Sequence, residues 1–201
     1  MKDTYNTINT FVEGIIHKEK NSKFIGYAFP LLSDEAVSGH LETLKKRHKG
    51  AGHYCYAYIL GTEEKSSRTN DDGEPINSAG KPILGQIESY GLTNTLVVVV
   101  RYFGGVKLGV GGLIQAYKNT AKLTLEACNI NKETINTLLL LTFDYKSMSH
   151  VMRVIKEKKL EIINQKLELS CSVTIAVRKK YAQSTFILFD VMYGVNVIAH
   201  Q

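Results

Sequence analysis

Three carboxylates fall within four positions of this 201-residue chain: Asp71, Asp72 and Glu74. Like charges this close repel unless a cation, a base or solvent separates them. Oxygen ligands at this spacing suit Mg²⁺, and one of the carboxylates could instead act as a general base. Asp72-Gly73 and Glu74-Pro75 are also ordinary turn pairs, so a surface turn explains the same residues. Lys81 stands just ahead of a helix start expected at Pro82. A cation there opposes the helix dipole, which points to a ligand or a carboxylate as its partner.

A second constellation lies downstream, where five glycines occupy nine positions: Gly104, Gly105, Gly109, Gly111 and Gly112. An aliphatic run, Leu96 to Val100, precedes them and a helix-patterned segment follows. Arg101 and Lys107 flank the first half of the loop. A strand, a glycine loop and a helix N-terminus together form a natural place for an anion. The segment matches neither common nucleotide fingerprint. Lys107 is not followed by Ser or Thr, and Ile114 stands where the third glycine of the dinucleotide pattern is due. The same glycines would equally let the loop pack closely against neighbouring strands.

The stretch His53 to Tyr58 reads as a strand with His53, Cys55 and Ala57 on one face and Tyr54, Tyr56 and Tyr58 on the other. A Cys/His nucleophilic pair is conceivable there, but no third group is identified to orient it. The tyrosine row could stack bases or lie under a helix.

The remaining pattern gives the elements that would position these residues. Strands are expected over 8–16, 23–29, 53–60 and 95–101, the last apolar on both faces and so central. A helix is expected over 33–48, with Ser33 as N-cap and Asp34 and Glu35 in its first turn. The stretch 61–80 reads as polar loop. The helix from Pro82 should bury Ile83, Leu84 and Ile87 and end at Gly91. The helix over 112–128 should bury Leu113, Ala116, Tyr117, Thr120, Ala121 and Thr124. Near Asn129–Glu133 the pattern restarts, which places a boundary between domains 1–131 and 132–201. The second domain reads strand 135–143, helix 147–158, strand 160–166, strand 168–177, helix 179–189 and strand 193–199. Met148, Val151, Met152 and Ile155 share a face of its first helix. Leu169, Cys171, Val173, Ile175 and Val177 share a face of its third strand. That β-α-β-β-α-β order is ferredoxin-like, and the chain as a whole is α+β.

Bulk properties narrow the function classes. The net charge is +6. Sixteen basic and 14 acidic residues lie up to Glu133, and 9 and 5 beyond it, so the second part is the more basic per residue. Lys156, Lys158 and Lys159 form one cluster and Arg178, Lys179 and Lys180 another. Such an excess permits contact with nucleic acid or the ribosome, and solvated helix ends explain it as well. The three cysteines are scattered and read as reduced core residues of a cytoplasmic protein. No zinc-ligand spacing, signal peptide or membrane span is read from the sequence.

Taken together, DDGEP…AGKPIL at 71–84 and VVVVRYFGGVKLGVGGLIQAY at 97–117 closely resemble the signature of the YigZ/Impact family. Ser22-Lys23-Phe24 and His53-x-Cys55 also fit, and the likeness covers essentially the whole chain in the two-domain, bacterial type. The resemblance implies an N-terminal domain similar to the second domain of a small-subunit ribosomal protein. It implies a C-terminal domain similar to the last domain of elongation factor G. Its acidic motif falls on Asp71, Asp72, Gly73, Glu74 and Pro75, with its AGKP on Ala79 to Pro82. Its glycine motif falls on Arg101, Gly104, Gly105, Leu108, Gly109, Gly111, Gly112 and Tyr117. Where the family usually has small residues, this chain has Ile76, Asn77 and Ser78. Eukaryotic relatives act in translational control by binding an activator of an initiation-factor kinase.

The expectation is a non-enzymatic RNA- or ribosome-associated factor connected with translation, with no cofactor and no membrane partner. Lys23, His53, Asp71, Asp72, Glu74, Lys81, Arg101, Lys107 and the five glycines of 104–112 are its candidate ligand-binding residues. Two alternatives stay open. One is a Mg-dependent enzyme acting on a nucleotide or another phosphorylated small molecule. The other is a protein-interaction module.

Overall fold

The computed structural model describes residues 3–200. They divide into two compact units: residues 5–133, and residues 134–200 with Asp3 and Thr4.

Along residues 4–134 the chain runs β1 (Thr4–Ile8), β2 (Val12–Glu19), β3 (Ser22–Pro30), α1 (Ala36–Arg47), β4 (His53–Leu60), β5 (Ser66–Asn70), α2 (Gly80–Ser89), β6 (Thr95–Tyr102), α3 (Gly109–Glu126) and β7 (Ile130–Thr134). Five strands form an antiparallel sheet in the order β2-β3-β6-β4-β5. The aliphatic run of β6 sits at its centre because both of its faces are covered. Val97 and Val99 pack with Ile83 and Ile87 of α2 and with Leu113, Ala116 and Tyr117 of α3. Leu96, Val98 and Val100 pack with Val37 and Leu44 of α1 on the other face, where Tyr56 and Tyr58 are also buried. The tyrosine row is thus part of a helix-covered core. On the first face α3 comes so close to β3 that a Cβ on Gly26 would stand 1.8 Å from Thr124 Oγ1.

The structure departs from the sequence pattern at several places. The strand expected over 8–16 is two strands, β1 and β2, broken at the polar Asn9-Thr10, with a bulge where Gly14 takes φ +75°. The loop expected over 61–80 contains β5, a polar edge strand paired with β4 alone. The polar stretch after Asn129 contains β7, which pairs with β1 in a separate two-stranded sheet. Helix α1 begins at Ala36, so Asp34 and Glu35 precede it, and no side chain caps it. Helix α2 begins at Gly80, which places Lys81 and Pro82 inside its first turn. Gly91 closes that helix at φ +63°, with its own N–H on Glu88 O and the N–H of Leu92 on Ile87 O.

The second unit runs β8 (Asn136–Asp144), a 3₁₀ turn (Tyr145–Ser147), α4 (Met148–Glu157), β9 (Glu161–Lys166), β10 (Ser170–Arg178), α5 (Lys179–Asp190) and β11 (Val195–His200). Its sheet is antiparallel in the order β11-β8-β10-β9. This is the ferredoxin-like βαββαβ arrangement. Cys171, Val173, Ile175 and Val177 of β10 enter the core with Val151 and Ile155 of α4. Leu169, expected to share their face, precedes the strand and is 92% exposed. Within this unit Arg178 donates to both carboxylate oxygens of Asp3, at 2.7 and 3.3 Å, which holds the Asp3 carboxyl below its ordinary range. Among the described residues no helix is long and apolar enough to cross a membrane.

Candidate functional site: a cleft above a buried ion pair

The end of β6 carries Arg101 onto the α2/α3 face of the sheet, opposite Phe24 on β3. An arginine buried there needs compensation, and the acidic motif supplies it. Arg101 Nη1 donates to Glu74 Oε1 at 2.6 Å, with the two side chains only 6% and 4% exposed. The hydroxyl of Tyr117, from the buried stripe of α3, donates to the same oxygen at 2.7 Å. The guanidinium lies between two aromatic rings, its central carbon 5.4 Å from the Phe24 centroid and 5.6 Å from that of Phe103. Ser22 Oγ accepts from the backbone N–H of Gly104 at 3.2 Å, so it ties the glycine loop to β3 beside the pair. Arg101 Nε is buried with no partner among the described residues.

The three carboxylates of the acidic motif diverge. Asp71 Oδ1 accepts the N–H groups of Ala79 (2.9 Å) and Gly80 (2.8 Å), and its Oδ2 accepts that of Asn77 (2.9 Å). It therefore caps α2 from nine residues upstream of Gly80, the reason that helix starts earlier than its sequence suggests. Asp72 Oδ2 accepts the N–H of Tyr54 at 2.7 Å, which fixes the motif to the start of β4. Only Glu74 turns inward. The residues that depart from the family pattern fit this turn: Asn77 takes φ +62°, which asparagine tolerates, and Ile76 projects into solvent. The divergent carboxylates do not fit a shared Mg²⁺. Among the described residues no three His, Cys, Asp or Glu side chains are placed to hold a metal ion.

His53 and Cys55 share the inner face of β4, as the alternation requires. His53 Nδ1 donates to Asp72 O at 2.7 Å, which turns Nε2 toward Glu74 Oε1, 3.9 Å away. The Cys55 thiol reaches Asp71 O at 3.0 Å and the Tyr117 hydroxyl at 3.3 Å. Burial pushes both the Cys55 thiol and the Tyr117 phenol well above their ordinary ranges. A thiol held protonated in this way is a structural hydrogen-bond donor and not an activated nucleophile.

Above the pair opens a cleft of about 380 Å³, lined by Glu74 and Pro75 from the acidic motif and by Arg101, Phe103, Lys107, Gly109, Val110 and Leu113 from the glycine segment. Its walls are mainly apolar. At one side α3 begins at Gly109 with no side-chain cap, so its first N–H groups have no side-chain acceptor. Not every candidate residue gathers here. Lys23 alternates with Phe24 and points to the opposite face of the sheet, where Ile25 and Tyr27 lie. Lys81 is exposed on α2 and does not line the cleft. Asp71 and Asp72 support the motif from behind. Gly104 is a packing glycine, since a Cβ on it would stand 2.0 Å from the backbone carbon of Asn21. Gly105 and Gly109 hold φ +83° and +72°, a conformation that favours glycine.

Tyr117 and Phe103 belong to this site although neither was a candidate. A tyrosine inside a buried helical stripe was the available signal for the first, because its hydroxyl needs a partner. An aromatic set among glycines was the signal for the second.

A five-stranded antiparallel sheet with helices on both faces, and a separate ferredoxin-like unit, define a two-unit α+β protein with a cleft where an acidic turn meets a glycine loop. The family pattern described as the Impact N-terminal domain matches residues 20–125. The chain belongs to the Impact family. It is 32% identical to the IMPACT family member YvyE of Bacillus subtilis over 159 residues, 79% of this chain and 73% of that protein. It is 30% identical to the IMPACT family member YigZ of Escherichia coli over 165 residues, 81% of each. A solved structure described as a hypothetical protein superposes with TM-score 0.77 at 26% identity, over 100% of this chain and 99% of that one.

Proposed function

We propose that this chain is an RNA- or ribosome-associated factor connected with the regulation of translation, and that it holds RNA in the cleft above Glu74 and Arg101. The observation that carries this reading is that both motifs line one cleft, with Lys107 and the uncapped N-terminus of α3 at its edge. Lys107 would meet a phosphate, and the α3 N–H groups would add donors and a favourable dipole. The family's link with translational control supports the cellular role. Arg101 is committed to Glu74, so Lys107 is the cation to change. In anisotropy titrations with single-stranded RNA, Lys107→Ala should weaken binding and reduce the log–log salt slope by about 0.7. An unchanged affinity and slope would overturn the reading.

Exposed apolar side chains about the cleft favour a second reading, docking of a protein partner: Ile76, Phe103, Val106 and Val110 are all exposed. Retention on ribosomal fractions distinguishes the two, since nuclease abolishes it for an RNA contact and leaves it for a protein contact. The enzyme reading lacks comparable support, because the carboxylates it needs for Mg²⁺ face three different sets of donors.

A further inference from the structure

Four of the five glycines in the segment 104–112 answer to the chain itself. Gly104 is demanded by the Asn21 backbone, Gly105 and Gly109 by their positive φ, and Gly112 by Leu108, whose Cβ would lie 3.2 Å from its own. Gly111 answers to nothing in the chain. Its φ is ordinary for any residue, and an added Cβ would meet no atom within 4 Å. Glycine is less stable than alanine at a helical position. A Cβ there would lean toward the N-terminus of α3, the end that has no side-chain cap.

Three further features surround that point. Phe103 covers Arg101 with one side of its ring, yet the residue is 56% exposed. Glu74 lines the cleft with Oε1 already taken by Arg101 and Tyr117, while its Oε2 accepts no bond from the described residues. Arg101 lines the same cleft at 5% exposure with its Nε–H unpartnered. Anion donors at one end, an aromatic wall in the middle and a lone acceptor at the other end select one kind of molecule.

We infer that the cleft takes a single 5′-phosphorylated nucleotide. Its phosphate sits on the N–H groups of Val110, Gly111 and Gly112 beside Lys107. Its base lies against Phe103 and the Val110–Leu113 wall, and an N–H of the base donates to Glu74 Oε2. Gly111 leaves the space that the phosphate fills. This inference rests on the cleft being the RNA site proposed above, and it names the unit that the cleft reads. The same chemistry comes either from a free nucleotide or from an unpaired residue of RNA.

The test follows backbone amide shifts of the whole chain during titration with guanosine 5′-monophosphate, inorganic phosphate and a single-stranded RNA hexamer. The inference expects the nucleotide to shift the amides of Phe103 and Val110 to Gly112 at concentrations where phosphate alone does not. Gly111→Val, whose melting temperature should match or exceed that of the wild type, should weaken the nucleotide at least about tenfold by closing the helix end. If the hexamer displaces the nucleotide at lower concentration, the source is RNA; if the nucleotide stays the tighter ligand, the source is the free species. The inference is overturned if the nucleotide moves none of these amides up to about 5 mM, if phosphate reproduces its shifts, or if Gly111→Val binds like the wild type. Hexamer binding at the same amides without nucleotide binding would remove the inference and leave the RNA reading intact. Nucleotide binding without hexamer binding would do the reverse.

Discussion

Breaking the Glu74–Arg101 pair should destabilise the first unit far more than the loss of a surface salt bridge. The side chains are 4% and 6% exposed and meet at 2.6 Å, so neither charge has water to fall back on. With charge centres about 4 Å apart and an effective dielectric near 20, their attraction is about 4 kcal/mol. Removing one partner strands the other, which costs about 3–5 kcal/mol in buried pairs. Arg101→Met keeps the packing between Phe24 and Phe103 but leaves the Glu74 carboxylate with only the Tyr117 hydroxyl. Glu74→Gln leaves the Arg101 charge buried without its counter-ion. The double variant removes both charges and should recover much of the loss, with a coupling energy of at least about 2 kcal/mol. Native-state hydrogen exchange of Val98, Val99 and Val100 reports the stability of this unit, since these residues are fully buried at the sheet centre. Single losses below about 1 kcal/mol that simply add would be the behaviour of an exposed pair and would refute the reasoning.

Two further outcomes follow from the same geometry. Gly104→Ala drives a methyl group to within 2.0 Å of the Asn21 backbone, which cannot rotate away, so urea unfolding should show a loss of about 1–3 kcal/mol; a loss near zero would mean that the loop is not fixed against β3. The Cys55 thiol, raised by burial, keeps its proton in the fold while an unfolded thiol ionises near pH 8.5. Its contribution to stability is therefore complete below about pH 8.5 and declines as the pH rises beyond it. Iodoacetamide should accordingly label Cys128, half-buried and pushed up to about 11, before Cys55 in the native protein. Earlier labelling of Cys55 would contradict its place in the hydrogen-bonded core.

The parts of this molecule that were legible in the sequence are those whose periodicity reports burial. The aliphatic run of β6, the three-and-four stripe of α3 and the alternation of β10 each identify their element, and the order of the last six elements identifies the ferredoxin-like unit. Strands β5 and β7 were not legible because they are polar edge strands, paired on one side and exposed, and they carry little hydrophobic signal. The site was legible as two motifs but not as an arrangement. Glu74 meets Arg101 across 27 positions and Tyr117 across 43, and no local pattern encodes such pairings. The three neighbouring carboxylates invite a metal, yet two of them act on backbone N–H groups of α2 and β4, a role visible only when those ends stand beside the turn. Lys23 illustrates the opposite failure: it adjoins Phe24 in sequence, but the pleat sends it to the other side of the sheet.

Ultraviolet cross-linking of bound RNA, followed by trypsin and mass spectrometry, tests the cleft most directly. Trypsin cuts after Arg101 and Lys107, so Phe103 is isolated on the six-residue peptide Tyr102–Lys107. The account predicts that this peptide carries a cross-linked nucleotide and that Lys107→Ala depletes it. Cross-links confined to residues 134–200, with the 102–107 peptide unmodified, would contradict it.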